Sequence, residues 1–146
     1  MTNTFTLVSC SKSKQDGEHT AKNLYTESTI FNKRKKFAEK RGGKWGILSA
    51  KYGYLRPWEN IPYYQKHISS RSEIWGAFVL QDLLPDLEFH GIDEVIILAG
   101  KKYIKPIRAG LKANRYEVND WNEGKMPGER LHALKEELAP GTQTTF

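Results

Sequence analysis

Apolar residues crowd into three short uninterrupted runs, and longer stretches with helical spacing fall between them. Thr4 to Ser9 (TFTLVS), Lys44 to Ser49 (KWGILS) and Val95 to Leu98 (VIIL) are rich in apolar or β-forming residues at nearly every position, not at alternate ones. Such runs predict strands covered on both faces, as in a parallel sheet. Arg115 to Val118 is a shorter fourth candidate. A first helix is predicted from an N-cap at Thr26 or Ser28 to Gly42-Gly43. Its Ile30, Phe31, Phe37 and Ala38 share one face, while Lys33, Arg34, Lys35, Lys36, Lys40 and Arg41 form a solvated basic face. A second begins at Ser70, which makes a capping box with Glu73. Ile74, Trp75, Phe78, Val79 and Leu83 mark its buried stripe, and Pro85 ends it. A short third helix runs through Ile104, Ile107 and Leu111 with Pro106 in its first turn. The last, about Gly128 to Leu138, aligns Leu131, Leu134 and Leu138, and residues 139–146 read as a frayed tail.

Strand and helix therefore alternate, which predicts a single α/β domain over residues 2–138. Its centre is a mostly parallel sheet of about four strands with helices on both faces. In open sheets of this kind ligands bind beyond the carboxyl ends of the strands. The residues just past those ends are Cys10-Ser11-Lys12, Ser49-Ala50-Lys51-Tyr52, Gly100-Lys101-Lys102-Tyr103 and Asn119-Asp120-Trp121. Three of the four segments carry a lysine and three an aromatic. They are expected to meet on one rim.

Composition narrows the class. Met1 to Cys10 lacks the pattern of a secretory signal, no apolar run is long enough to span a membrane, and the one cysteine suits a reducing interior. These features predict a soluble, cytoplasmic protein without a membrane partner. The net charge of +6 and pI near 9.4 lean mildly towards an anionic partner.

The stretch Lys44 to Tyr64 concentrates the unusual chemistry. After its strand come Tyr52, Tyr54, Trp58, Tyr63 and Tyr64, interleaved with Lys51 and Arg56. Ring faces beside fixed cations suit flat anionic ligands, nucleotides or unstacked bases. The competing reading is a loop folded back on the core with tyrosines as plugs. The Ser-rich turn after the first strand, with its lysines, can cradle phosphate through hydroxyls, amides and ammonium charge, although it is not a Walker loop. Candidates for substrate or phosphate contact are Ser9, Cys10, Ser11, Lys12, Lys14, Ser49, Gly53, Trp58, Tyr63, Gly100, Lys101 and Tyr103. Candidates for catalysis are Asp120, Lys51 and Tyr52, with Glu59 and Glu123 behind Asp120. A carboxylate there would steady a cationic transition state or orient water during cleavage of an N-glycosidic bond. His19, His67, His90 and His132 are scattered, so neither a metal site nor any cofactor is expected. Cys10 reads more readily as packing than as a nucleophile.

Val8-Ser9-Cys10-Ser11-Lys12-Ser13-Lys14, Ala21 to Tyr25, and WGILSAKYGY from Trp45 to Tyr54 with Ile61-Pro62-Tyr63 make up a recognisable pattern. From Leu7 to about Leu138 the chain resembles a small domain family, mostly of unassigned function, related to the YaaA-like peroxide-stress proteins. Ser9, Cys10, Ser11, Lys12, Ser49, Lys51, Tyr52 and Gly53 carry the matching motif. The resemblance implies an α/β fold, DNA binding in the relatives, and a link to nucleobase chemistry.

The expected partner is thus a nucleic acid or a nucleotide, and the expected function is an enzyme acting on a nucleobase N-glycosidic bond. The alternatives are a non-catalytic DNA-binding protein of a stress or DNA-damage response and an interaction protein without a ligand.

Overall fold

The three clear sequence runs become the middle of a five-stranded sheet in the computed structural model, which describes residues 3–11, 14–41, 44–64 and 72–120. The elements in order are β1 (Thr4–Ser9), β2 (His19–Thr20), α1 (Ala21–Leu24), α2 (Thr29–Lys40), β3 (Trp45–Ser49), β4 (Gly53–Leu55), β5 (Asn60–Ile61), α3 (Ser72–Phe89), β6 (Glu94–Leu98), α4 (Lys101–Ala113) and β7 (Glu117–Asp120). The sheet runs β4-β3-β1-β6-β7, and every pairing is parallel except that of β4 with β3. β2 and β5 form a separate two-stranded clip.

The pleat sends alternate residues of the buried strands to opposite sides. Val8, Ile47, Ile96 and Leu98 pack with Leu24, Tyr25, Phe31 and Phe37 from α1 and α2 and the residues next to them. Phe5, Leu7, Leu48, Val95 and Ile97 pack with Val79, Leu83 and Leu87 of α3 and Ile104, Ile107 and Leu111 of α4. The fold is α/β with helices on both faces, as the alternation predicts.

Several local expectations are corrected. The stretch after β3 is not simply a loop, because Gly53-Tyr54-Leu55 folds back as a fifth, antiparallel strand. Gly53 makes that hairpin possible: its φ of +76° is left-handed, and a Cβ would stand 2.8 Å from Phe78 Cδ1. Pro85 does not end α3, which continues to Phe89. The amide that proline lacks would have paired with the carbonyl of exposed Gln81, which water can satisfy. Pro106 likewise lies in the second turn of α4, because the helix already starts at Lys101. Ile74 and Phe78 are 71% and 50% exposed, and Val79, Leu83 and Leu87 form the buried line instead. The phase is set by Gly76, where a Cβ would meet the Pro106 carbonyl oxygen at 2.6 Å. β7 is displaced by two residues because Arg115, at φ +68°, is spent on the left-handed turn that leaves α4. Ser70, the helix expected over 128–138 and the tail over 139–146 lie outside the described residues. No described helix is long and apolar enough to cross a membrane.

Candidate functional site

Two connections gather side chains at the carboxyl ends of β1 and β3. The Cys10 amide donates to the Leu48 carbonyl (2.8 Å), which extends the β1–β3 pairing one step past the strand. The clip then draws two distant segments together: Thr20 lies opposite Asn60 and His19 opposite Ile61. Backbone bonds from Ala21 to the Glu59 carbonyl (2.7 Å), Lys22 to Pro57 (3.0 Å) and Tyr63 to Gly17 (3.1 Å) reinforce it. Tyr25, one residue past α1, and Tyr64, three past β5, are thereby brought hydroxyl to hydroxyl.

Tyr64 is the hub. Its hydroxyl also shares a 2.8 Å hydrogen bond with the Ser49 hydroxyl, and all three side chains are buried. The Ser49 oxygen in turn accepts from the amides of Lys51 (3.3 Å) and Tyr52 (3.1 Å), fixing the turn after β3. The rings of Tyr52 and Tyr64 meet edge to face at 5.3 Å. Lys14 Nζ stands 4.5 Å from the Tyr64 ring centre and 6.0 Å from that of Tyr25. Lys51 Nζ stands 5.1 Å from the Tyr52 ring and 6.0 Å from the Tyr64 ring.

Beside this hub, Cys10 Sγ lies 3.3 Å from the Tyr103 hydroxyl, which joins the end of β1 to the first turn of α4. Trp75 of α3 packs edge to face on Tyr103 at 5.5 Å and donates its indole N–H to the Ser49 carbonyl at 2.8 Å. Arg34 reaches from α2 to donate to Ser9 Oγ at 2.6 Å and is only 8% exposed. Burial, reinforced by Cys10, pushes the hydroxyls of Tyr25, Tyr64 and Tyr103 well above the usual phenol range. All three stay protonated at physiological pH and can donate hydrogen bonds. Burial lowers the Lys14 ammonium below its ordinary value, although Cys10 opposes the shift.

Ser9, Cys10, Lys14, Ser49, Lys51, Tyr52 and Tyr103 therefore share one neighbourhood. Ser11 follows Cys10 directly and is half-buried, while Lys12 lies outside the described residues. Gly53 is the hairpin pivot. Gly100 is the N-cap of α4, and Lys101 opens that helix on its exposed side. Tyr63, next to buried Tyr64, is 40% exposed; Trp58, in the turn between β4 and β5, is 66% exposed.

Asp120 is not brought to this cluster. β7 pairs in a register that sets Asp120 opposite Ile97, one residue short of the β6 end and on the α4 side of the sheet. Its carboxylate accepts from Arg108 Nη2 at 3.2 Å. Both border a groove of about 430 Å³ along α4 with Lys101, Lys105 and Lys112. Glu59 accepts from both the amide and the guanidinium of Arg56 at 3.1 Å, and Glu123 is outside the described residues. Among the described residues no group of three or more His, Cys, Asp or Glu side chains is placed to hold a metal ion.

Four contributors escaped the sequence reading. Arg34 looked like one of six solvated cations on α2, and Trp75 like core. Tyr25 and Tyr64 are 39 residues apart, and only the clip shows that they meet. Adjacent tyrosines in an extended segment point to opposite sides, a signal that could have separated Tyr64 from Tyr63.

The cluster offers neutral hydroxyl donors, a thiol, ring faces and three cations, a combination suited to an anionic ligand with a planar part. No curated protein matches the chain. A family of unknown function, DUF6884, matches it over residues 5–136, nearly its whole length, and the chain belongs to that family.

Proposed function

We propose that the chain is a cytoplasmic nucleotide- or nucleic-acid-binding protein that hydrolyses a nucleobase N-glycosidic bond at the carboxyl ends of β1 and β3. The observation that carries this reading is the approach of Lys14 and Lys51 to the Tyr64 ring, beside the Cys10–Tyr103 contact. The lysines hold phosphate and the Tyr52 ring stacks on the base. Protonated tyrosine hydroxyls then hydrogen-bond the base as it leaves. The carbon–nitrogen bond breaks with its electron pair going to the base, water oxygen bonds to the anomeric carbon, and the water proton ends on the base nitrogen. Hydroxyl dipoles fixed beforehand stabilise the charge that develops. Kinship with the YaaA-like stress proteins belongs to the same proposal, since it would place the base in damaged DNA.

The test is incubation of the pure protein with nucleotides and with single- and double-stranded DNA carrying modified bases, followed by mass spectrometry for released base. Release that Tyr64→Phe and Lys51→Ala abolish supports the reading, and release indifferent to both puts the site elsewhere.

The second reading, a non-catalytic DNA binder, draws on Lys33, Lys35, Lys36 and Lys40, which lie at partly or fully exposed positions of α2. It predicts no released base, with affinity falling steeply as salt rises and little preference among bases.

A further inference from the structure

We infer that the ligand is a nucleic-acid strand whose phosphate backbone lies in the groove along α4, entering beside Lys101 and running down the flank past Lys105, Arg108 and Lys112. This rests on the nucleic-acid side of the reading above and narrows it.

The four cations are spaced by four, three and four residues along α4. At about 100° per residue they fall within an arc of about 60°, so they form one line on the helix. Pro106 and Gly110 of α4 pack against Gly76 and Leu80 of α3, and Ile104, Ile107 and Leu111 belong to the core beneath. The line therefore lies on the side of α4 away from α3, towards β7, the edge strand of the described sheet. All four cations border the same groove of about 430 Å³. Arg108 is answered by Asp120, whereas Lys101, Lys105 and Lys112 are exposed and make no ion pair among the described residues.

The groove starts at the rim. Lys101 shares the first turn of α4 with Tyr103, whose hydroxyl lies 3.3 Å from Cys10 Sγ. Because α4 joins the parallel strands β6 and β7, it carries the line about 16 Å back from their carboxyl ends. A free nucleotide cannot use so long a line, but a polymer repeats its charge at every unit. The lining also favours phosphates over an acidic peptide. An extended peptide brings amide donors that need acceptors, and the described lining offers donors, with Asp120 already engaged by Arg108. Beside the charges stand Ile104 and Ala109, with no hydroxyl or amide side chain to read a sequence, as suits backbone contact.

Fluorescence anisotropy with a short labelled single-stranded DNA, read across a salt series, tests the track. The triple variant Lys101→Gln, Lys105→Gln, Lys112→Gln changes exposed positions, where Gln suits a helix about as well as Lys, and should keep the parental unfolding midpoint. It should bind at least about tenfold more weakly at low salt, and the slope of log affinity against log salt should flatten by about 2. Lys33→Gln, Lys36→Gln, Lys40→Gln in α2 removes the same charge and should cost much less. Equal losses from the two, or a parental slope in the α4 variant, overturn the track. So does a polyglutamate that displaces the strand as well as unlabelled DNA does. Base release is scored separately. A parent that releases base but does not bind the strand through α4 keeps the rim reading and loses the track. One that binds through α4 and releases no base keeps the track and loses the hydrolase reading.

Discussion

Tyr54 and Tyr64 are buried tyrosines ten positions apart in one stretch, and the fold puts them into opposite electrostatic settings. The Tyr54 hydroxyl donates to Asp86 Oδ2 at 2.7 Å. Arg56 donates to both oxygens of Asp86, at 2.9 and 3.1 Å, and to Glu59 at 3.1 Å. That corner, where the β4 hairpin meets α3, answers its cation with two carboxylates. The Tyr64 hydroxyl instead meets hydroxyls, and the contacts described for the lysines around it are ring faces. One region is an electrostatic joint, and the other is the receptor of the proposed function. Aromatic and basic residues in a sequence do not distinguish the two; what each tyrosine hydroxyl meets does.

Gly53 couples the regions, since it follows Tyr52 of the rim and precedes Tyr54 of the corner. Gly53→Ala should give the largest loss of stability, about 2–4 kcal/mol, from left-handed strain and the clash with Phe78. Urea denaturation checks it, and a loss under half that size means the hairpin relaxes freely. Tyr64→Phe comes next, because it removes the partner that the buried Ser49 and Tyr25 hydroxyls share, costing about 1–3 kcal/mol. It should also weaken nucleotide binding, whereas Tyr54→Phe, which removes a hydrogen bond to a carboxylate, costs about 1.5–3 kcal/mol and leaves binding alone. Equal effects on binding from the two variants would erase the distinction between joint and receptor.

Asp86→Asn tests the joint through pH. Burial works against the Asp86 charge, but hydrogen bonds from Arg56 and Tyr54 prevail and hold its carboxyl below the usual range. A depressed folded pKa means the contribution is complete above the unfolded pKa, about 3.9, and is lost as pH falls through the lower folded value. The variant should therefore trail the parent by about 1–2 kcal/mol at pH 7, with the gap closing below about pH 4. A gap that persists at pH 2.5 would assign the loss to packing. Asp120→Asn should leave nucleotide binding and base release unchanged while costing about 1–3 kcal/mol, because its side chain is only 8% exposed and accepts a charge-assisted hydrogen bond from Arg108. Loss of base release in a folded Asp120→Asn protein would return that carboxylate to the site.

The strands of the sheet centre were legible because unbroken apolar runs admit few other structures. β4 was not, since three residues beside a polar turn carry no periodicity of their own. α3 misled because it is apolar around much of its circumference, so its phase depends on Gly76 meeting Pro106, a tertiary event. At the site, the first three rim segments were legible from the rule that strand ends collect ligands. Asp120 stands apart from those segments because β7 turns its carboxylate towards α4, where Arg108 donates to it. Arg34 and Tyr25 were invisible, since their importance comes from what lies opposite them in space.

The register of β1 also governs how the molecule comes into being. β1, which precedes the other described strands in the chain, is the middle strand of the finished sheet, with Val8 beside Ile47 on one flank and Leu98 on the other. Its first partner is made about forty residues later, and its second about ninety. Pairings between such distant segments are slow to close, and until β6 emerges β1 presents an unpaired apolar edge. A ribosome paused between α3 and β6 would hold a half-sheet with its stickiest strand uncovered, which makes that interval the one in which a chaperone matters most.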